Sequence, residues 1–175
     1  MNRTIEIAPV RKTIVVEATP ERAFAVFTAG IDRWWPKSHG IGATPLRESI
    51  IEQFEGGRWY TRHEDGSDVT VGHVRVWEPG RRFVVSWEIS ADWKPDPRPA
   101  FASEVEVRFT AEAGGRTRVD LEHREFERMG AAAGETMRKG VDGGWPALLD
   151  LFAAATVSAE QGSVIAVKRT RNRGE

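Results

Sequence analysis

The sequence predicts an α+β fold in which a curved antiparallel sheet of six to seven strands wraps around one long C-terminal helix. Two short helices are expected after the first strand. Three observations favour this fold. Short runs of β-branched and aromatic residues are separated by Gly and Pro turn signals through most of the chain. From about Ala131 the apolar residues change to helical spacing. The 175 residues suffice for a single domain with its own core.

The first strand and the helix after it are marked by the residues at their junction. The β-branched run in Arg11–Ala18 predicts the strand. Thr19 is a favoured helix N-cap and Pro20 suits the first helical position, so a short helix is expected from there to about Ala29. A second short helical turn is expected over Ile31–Trp35, because the next residue is a proline.

Six further strands and one long helix follow. The strands are expected at residues 49–54, 58–63, 69–77, 83–89, 101–110 and 117–126. The apolar stripe of the long helix consists of Met137, Val141, Trp145, Leu148, Leu149 and Phe152. Because Pro146 lies inside this stripe and two glycines precede it, the helix is expected to kink or restart near 142–146.

Strand alternation predicts which side chains of the sheet face the long helix. A short turn between the strands expected at 69–77 and 83–89 pairs Val74 with Val85 and Val76 with Phe83. These four residues are then inward-facing, because together they make an apolar face. The same pairing turns Trp77 to the outer face.

The next hairpin has the same alternation. A three-residue loop at 114–116 pairs Val107 with His123 and gives both strands an apolar inner face. His123 and Glu125 then fall on that inner face. A shift of register by one residue would instead bury Glu106, so it is disfavoured.

A sheet that grips a helix leaves a cavity wherever the facing side chains do not fill the space. The side chains expected to bind a ligand there are Phe27, Trp35, Trp59, Val74, Val85, Trp87, Phe101, Val107, Leu121, His123, Trp145 and Leu149. Segments that contain Trp34, Trp35 and Trp93 are expected to flank the mouth. The chain has 7 Trp and 1 Tyr, which suits a wall of large apolar rings.

His123 is the candidate for catalytic chemistry on the inner face. A histidine there can act as an acid or a base, with Glu125 or Ser103 in support. The alternative is a structural histidine bonded to a backbone group or a nearby hydroxyl, as buried polar groups usually are. The sequence leaves both interpretations open.

Composition and motifs exclude several classes of function. The chain has no cysteine, which rules out disulfides, thiolate zinc sites and a cysteine nucleophile. With 25 basic and 26 acidic residues it lacks the charge excess that favours nucleic acid. No clustered metal-ligand spacing and no nucleotide-binding glycine motif occurs, so neither a metal nor a cofactor is expected.

The domain is expected over residues 1–157. Residues 158–175 contain a cluster of basic side chains and are expected to form a flexible C-terminal tail. No signal peptide and no membrane span is expected. The absence of cysteine suits a cytoplasmic protein.

Several motifs, taken in order, resemble one known family. They are Ile14-Val15-Val16 with Thr19-Pro20-Glu21-Arg22-Ala23-Phe24, Phe54-Glu55-Gly56-Gly57-Arg58-Trp59, Gly72-His73-Val74-Arg75-Val76-Trp77-Glu78-Pro79-Gly80, Ser86-Trp87, the inward residues of 117–123, and Gly144-Trp145 with Leu148 and Leu149. Over residues 10–155 the chain resembles the START-like (SRPBCC) superfamily, in the branch named after the activator of the heat-shock-protein-90 ATPase. The resemblance implies a bacterial protein with a helix-grip fold and an internal cavity for a hydrophobic small molecule. Members of the superfamily bind lipids or hormones, cyclise polyketides or serve as oxygenase subunits.

Three functions remain open on this basis. The favoured one is non-catalytic binding of a hydrophobic or aromatic small molecule between the sheet and the last helix. The first alternative is a cyclase- or hydrolase-like enzyme that uses His123. The second is a chaperone ATPase-stimulating protein, with Trp77 beside Arg75 as an exposed contact surface. An outward Trp77 and Val84 would also allow a homodimer face.

Overall fold

The computed structural model describes the backbone of residues 6–171 and the side chains of residues 6–157. The strands in this part of the chain are β1 (Val10–Val16), β2 (Leu46–Ile51), β3 (Arg58–His63), β4 (Asp68–Glu78), β5 (Arg82–Trp87), β6 (Ser103–Glu112) and β7 (Arg116–Arg124). The α-helices are α1 (Pro20–Phe27) and α2 (Ala131–Arg171). Short 3-10 helices lie at Ile31–Arg33, Lys37–His39, Pro99–Phe101 and Phe126–Met129.

All seven strands form one antiparallel sheet in the order β1-β7-β6-β5-β4-β3-β2. The sheet curls, and its inner face packs with α1 and α2 around a common core. The apolar stripe of α2 lies in that core, with Met137, Trp145 and Phe152 at 2 % exposure or less. The predicted helix-grip architecture is therefore confirmed.

The start of α1 follows from its first residues. The Thr19 hydroxyl accepts a hydrogen bond from the backbone N–H of Arg22 at 3.3 Å, and Pro20 occupies the first turn. The helix ends at Phe27, two residues before the predicted end. The second helical turn forms at Ile31–Arg33, within the predicted range.

α2 is one continuous helix and contains Pro146. It does not restart near 142–146. Pro146 has no N–H to offer the carbonyl of Asp142, so one helical hydrogen bond is missing at this turn. The Asp142 side chain forms an ion pair with Lys12 of β1 at 2.8 Å, which ties the same turn of α2 to the sheet.

An irregularity in β4 corrects the predicted face of Trp77. Val74 pairs with Val85 as expected, but the register then shifts, so that Trp77 rather than Val76 is opposite Phe83. A bulge of this kind adds one residue and reverses every later side chain of the strand. Trp77 consequently packs edge-on against Phe24, with ring centroids 4.9 Å apart.

This correction also affects the proposed contact surfaces. Trp77 packs against the hydrophobic core, and Val84 is only 3 % exposed. Neither residue therefore offers the exposed apolar surface on which the expected chaperone contact and homodimer face depended.

The predicted register of the β6–β7 hairpin is wrong by two residues. Val107 pairs with Leu121, and His123 pairs with Val105. The loop consists of residues 113–115 instead of 114–116, because Glu112 already pairs with Arg116. A shift of two residues keeps the alternation of faces, so His123 still points inward and is fully buried.

The outer face of the sheet is covered by paired charges. Glu106 is 3 % exposed and accepts hydrogen bonds from Arg82, Arg108 and Arg124. Burial alone would raise the pKa of Glu106, but the bonds from Arg124, Arg82 and Arg108 outweigh it and lower the pKa to about 2. Acidic side chains can therefore be buried on this face because arginines pair with them.

The expected basic tail, residues 158–175, lies outside the residues whose side chains are described. The backbone of α2 continues as far as Arg171. No helix in the described part of the chain is both long and apolar enough to cross a membrane.

Candidate functional site

A cavity of about 340 Å³ opens between the inner face of the sheet, the loop before β2, the loop after β5 and the middle of α2. This volume is at the lower end of the roughly 300–1,000 Å³ that is usual for small-molecule sites. Four indole rings line it: Trp35, Trp87, Trp93 and Trp145. The aliphatic lining consists of Ile41, Val71, Ile89, Val141 and Leu148. Such a lining favours an apolar ligand.

Three of the four indoles belong to one cluster of aromatic rings. The Trp145 centroid lies 6.0 Å from that of Trp87 and 6.3 Å from that of Trp35. Trp59 stands behind the wall, in edge-to-face contact with Trp35 at 5.1 Å and with Trp87 at 5.8 Å. Each of the three indoles in this cluster, Trp35, Trp87 and Trp145, is thus held by another ring, which fixes its orientation.

Trp93 forms the exposed edge of the cavity. It is 45 % exposed and has a φ of 61°, a backbone conformation that is rare for a tryptophan. Gly140 of α2 faces its ring, and a Cβ at that position would lie 3.0 Å from a ring carbon of Trp93. The missing side chain of Gly140 therefore lets the indole lie against the helix.

A second glycine leaves part of the α2 surface bare. Gly144 lines the cavity, and a Cβ there would meet no atom within 4 Å. A Cβ at Gly143 would also meet open space, but that residue is exposed and does not line the cavity. The absence of a side chain at Gly144 thus contributes to the empty volume.

The sequence-predicted ligand residues divide into two groups. Trp35, Trp87 and Trp145 line the cavity. The rest are not among the lining residues: Phe27, Trp59, Val74, Val85, Phe101, Val107, Leu121, His123 and Leu149. Most of these lie in the hydrophobic core. In α2 it is Leu148, one residue earlier than Leu149, that faces the cavity.

Phe101 and Trp34 do not lie in the positions that were predicted for them, which were the cavity wall for Phe101 and the mouth for Trp34. Phe101 is 40 % exposed in the Pro99–Phe101 helical turn, because β6 begins only at Ser103. Trp34 does not flank the mouth but is buried, and its indole N–H donates to the carbonyl of Val26 at 3.0 Å.

His123 has both ring nitrogens engaged inside the protein. The indole N–H of Trp145 lies 3.2 Å from Nδ1, so Nδ1 must accept. Nε2 therefore carries the ring proton and donates to the Ser103 hydroxyl at 2.8 Å. Burial lowers the pKa of His123 to about 3, so the ring is neutral. Glu125, its expected partner, begins the turn after β7 and pairs with Arg128.

The polar part of the lining was not predicted from the sequence. It consists of Ser38, His39 and Thr61. Thr61 lies on the inner face of β3, where its hydroxyl is 2.9 Å from Nε2 of the buried His63. Alternation along β3 could have identified this pair, because residues two apart share a face. The loop residues have no periodicity that would have revealed them.

One polar atom in the wall has no partner. The indole N–H of Trp87 is buried and makes no hydrogen bond within the described side chains.

The remaining histidine, His73, is on the outer side of the sheet, where its Nδ1 lies 2.6 Å from Glu88. No group of three His, Cys, Asp or Glu in the described residues could hold a metal ion.

Solved structures of two proteins share both fold and sequence with this chain. An anthrahydroquino-γ-pyrone synthase, Txn09, is 36 % identical and has a TM-score of 0.61, with 86 % of this chain and 97 % of Txn09 covered. The self-sacrificing resistance protein CalC from Micromonospora echinospora is 32 % identical and has a TM-score of 0.62, with 86 % and 95 % covered. Protein MLL2253 from Mesorhizobium loti shares the fold, with a TM-score of 0.61. It is 18 % identical, and the match covers 85 % of this chain and 96 % of MLL2253.

No curated protein sequence matches the chain significantly. One family model does, over residues 17–156, and its description is activator of Hsp90 ATPase homolog 1-like protein. The matched range begins directly after β1, which ends at Val16, and includes all the residues that line the cavity. The chain therefore belongs to the activator of Hsp90 ATPase homolog 1-like family, within the START-like (SRPBCC) superfamily.

Proposed function

We propose that this protein binds a flat, largely apolar aromatic molecule in the cavity between the sheet and α2. The observation that carries this proposal is the wall of four indoles, Trp35, Trp87, Trp93 and Trp145, around an open volume of about 340 Å³. Indole rings bury large areas and prefer edge-to-face or offset contact with other rings. A linear aliphatic ligand would use this wall less well than a planar one.

The rigidity of the wall supports the same proposal. Trp35, Trp87 and Trp145 are at most 6 % exposed and are held by neighbouring rings. Rings that are already ordered lose little conformational entropy when a ligand binds, so more of the contact energy is retained as affinity. Trp93 is the exposed member, at the edge by which a ligand would enter.

The name of one relative is consistent with an aromatic ligand. Txn09 is called an anthrahydroquino-γ-pyrone synthase, and this name denotes a compound with fused rings. Its 36 % identity to this chain over nearly its whole length supports a related ligand class here. A shared fold does not fix a shared reaction, so only the ligand class is carried over.

A cyclase- or hydrolase-like enzyme that uses His123 receives less support. A general acid or base must reach the proton it transfers. His123 is fully buried, is not among the lining residues and has each ring nitrogen in a hydrogen bond. We therefore assign His123 a structural role that holds α2 against β7.

Stimulation of a chaperone ATPase also receives less support. The surface expected for it depended on an exposed Trp77, and that ring packs against Phe24 and Phe83. The family name alone does not identify a chaperone-binding surface on this chain.

The experiment is a fluorescence titration that compares two glycine variants. Gly144→Leu projects a side chain into open space at the cavity, whereas Gly143→Leu makes the same change at an exposed position one residue away. Both changes should favour the helix by roughly 0.8 kcal/mol, so loss of binding cannot be attributed to unfolding. The probes are an anthraquinone sulfonate and, as a linear control, decanoate.

We expect the anthraquinone sulfonate to quench tryptophan emission of the wild type and of Gly143→Leu with equal affinity. Gly144→Leu should bind at least tenfold more weakly, and decanoate should bind more weakly than the aromatic probe to the wild type. Equal affinity for the two variants would contradict the proposal. So would a wild type that binds neither probe.

A further inference from the structure

The cavity has one polar position whose hydrogen bonding is fixed from behind. Thr61 lines the cavity, and its Oγ1 lies 2.9 Å from Nε2 of His63. Thr61 is 3 % exposed and His63 is fully buried. Bulk water therefore does not compete for this hydrogen bond.

The backbone determines which atom of the pair donates. Nδ1 of His63 lies 2.7 Å from the carbonyl oxygen of Thr44. A carbonyl can only accept, so Nδ1 carries a proton. When the imidazole is neutral, Nε2 is an acceptor, and the Thr61 hydroxyl donates to it. The single proton of Thr61 is thereby directed away from the ligand.

The ring of His63 is held in this orientation by a glycine loop. A Cβ at Gly42 would lie 2.7 Å from Nδ1 of His63, and one at Gly40 would lie 3.1 Å from its Cε1. Both glycines therefore lie in contact with the ring, and larger residues would have to displace it. A 180° flip of the ring would put Cδ2 in the place of Nδ1 and Cε1 in the place of Nε2, so it would break the 2.7 Å bond to Thr44 and the bond to Thr61.

Thr61 can consequently offer a ligand only the lone pairs of its oxygen. No described residue other than His63 forms a hydrogen bond with that oxygen. A ligand carbonyl or ether oxygen at this position would face another acceptor, whereas a hydroxyl could donate. A buried acceptor without a donor costs free energy when water is displaced.

The geometry points to an aromatic ligand that carries a hydroxyl group, whose O–H donates to Oγ1 of Thr61. This inference depends on the proposed function, because it names the ligand class of the same cavity. It makes Thr61 a specificity-determining residue, and it makes His63 a positioning residue that acts through Thr61. The rest of the ring system would contact the indole wall.

The test compares beta-naphthol with naphthalene, which differs only in lacking the hydroxyl. Affinities are measured by calorimetry for the wild type, Thr61→Val, Thr61→Ser and, as a matched control, Thr70→Val. Thr70 lies in β4 and is not among the residues that line the cavity. We expect Thr61→Val to weaken naphthol binding about tenfold, the effect of one lost hydrogen bond, and to leave naphthalene binding unchanged. Thr61→Ser and Thr70→Val should keep the wild-type preference for naphthol.

The outcomes separate the two proposals. If the ratio of naphthol affinity to naphthalene affinity is the same in Thr61→Val as in the wild type, this inference is overturned and the proposal of aromatic binding remains. A wild type that binds neither compound would overturn both. Should Thr61→Val fail to fold, NMR of the wild-type complex decides. Nuclear Overhauser contacts from the Thr61 methyl to the ring protons beside the hydroxyl support the inference, and contacts only to the opposite ring edge overturn it.

Discussion

The indole N–H of Trp145 donates to Nδ1 of His123 across 3.2 Å, and this bond joins the middle of α2 to the last strand. Trp145 also lines the cavity, so the bond orients one wall of the site from behind. His123 is stacked on Phe126, with ring centroids 4.7 Å apart. His123, which sequence alternation made a catalytic candidate, thus holds the cavity-lining Trp145 in place.

His123 should remain neutral at a pH at which an exposed histidine is charged. Burial lowers the pKa of His123 to about 3 from an ordinary value of 6.5. At pH 5 the nitrogen-15 NMR spectrum should show a ring with the proton on Nε2. A doubly protonated His123 ring at pH 5 would contradict the structural assignment.

The same residue should make the protein sensitive to acid. Between pH 6.5 and about 3 the unfolded chain binds a proton at His123 that the folded chain does not bind. The free energy of unfolding should therefore fall as pH decreases through this range, by up to about 1.4 kcal/mol per pH unit. Guanidinium unfolding at several pH values measures this slope. His123→Gln should flatten it, and an unchanged slope in that variant would disprove the effect.

Glu106 should make the free energy of unfolding depend on pH in a second, more acidic range. Its pKa is lowered from 4.5 to about 2, since the bonds from Arg124, Arg82 and Arg108 outweigh the effect of burial. The stabilisation is complete above pH 4.5 and is lost as pH falls toward 2. In Glu106→Gln, unfolding curves should show less dependence on pH in this interval than those of the wild type. Identical pH dependence in the two proteins would count against the arginine contacts.

Replacing Trp87 and replacing Trp145 should lower the free energy of unfolding by different amounts. Trp87→Phe removes an indole N–H that has no hydrogen-bond partner among the described residues, whereas Trp145→Phe removes the donor to Nδ1 of His123. The two changes remove the same volume from the protein. Trp145→Phe should therefore lower the free energy of unfolding by about 1–3 kcal/mol more than Trp87→Phe, as measured by denaturant titration. Equal costs would mean that the bond to His123 adds nothing.

The fold could be predicted because its signals repeat along the chain. Alternation identified the inner face of β6 and β7, and helical spacing identified the buried stripe of α2. The same two patterns identified Trp87 and Trp145 as residues of one cavity. Patterns that persist over many residues survive an error of two in register, as at His123.

Features created by single residues could not be predicted in this way. The register shift near Arg75 turned Trp77 inward, and nothing in the alternation marks an inserted residue. Ile41 and Trp93 reach the cavity from loops, whose paths depend on tertiary contacts rather than on a repeating pattern. The Thr61–His63 pair was visible in the alternation of β3, but its importance comes from the Thr44 carbonyl, which lies 19 residues before His63.

The most direct test of the ligand site is fluorine NMR of the protein labelled with 5-fluorotryptophan. The 7 tryptophans give separate signals, each assigned by a single Trp→Phe variant. On titration with the anthraquinone sulfonate, the signals of Trp35, Trp87, Trp93 and Trp145 should shift most, because these rings line the cavity. Trp34 and Trp77 should be little affected. Shifts confined to Trp34 and Trp77, or no shift at saturating probe, would contradict binding in this cavity.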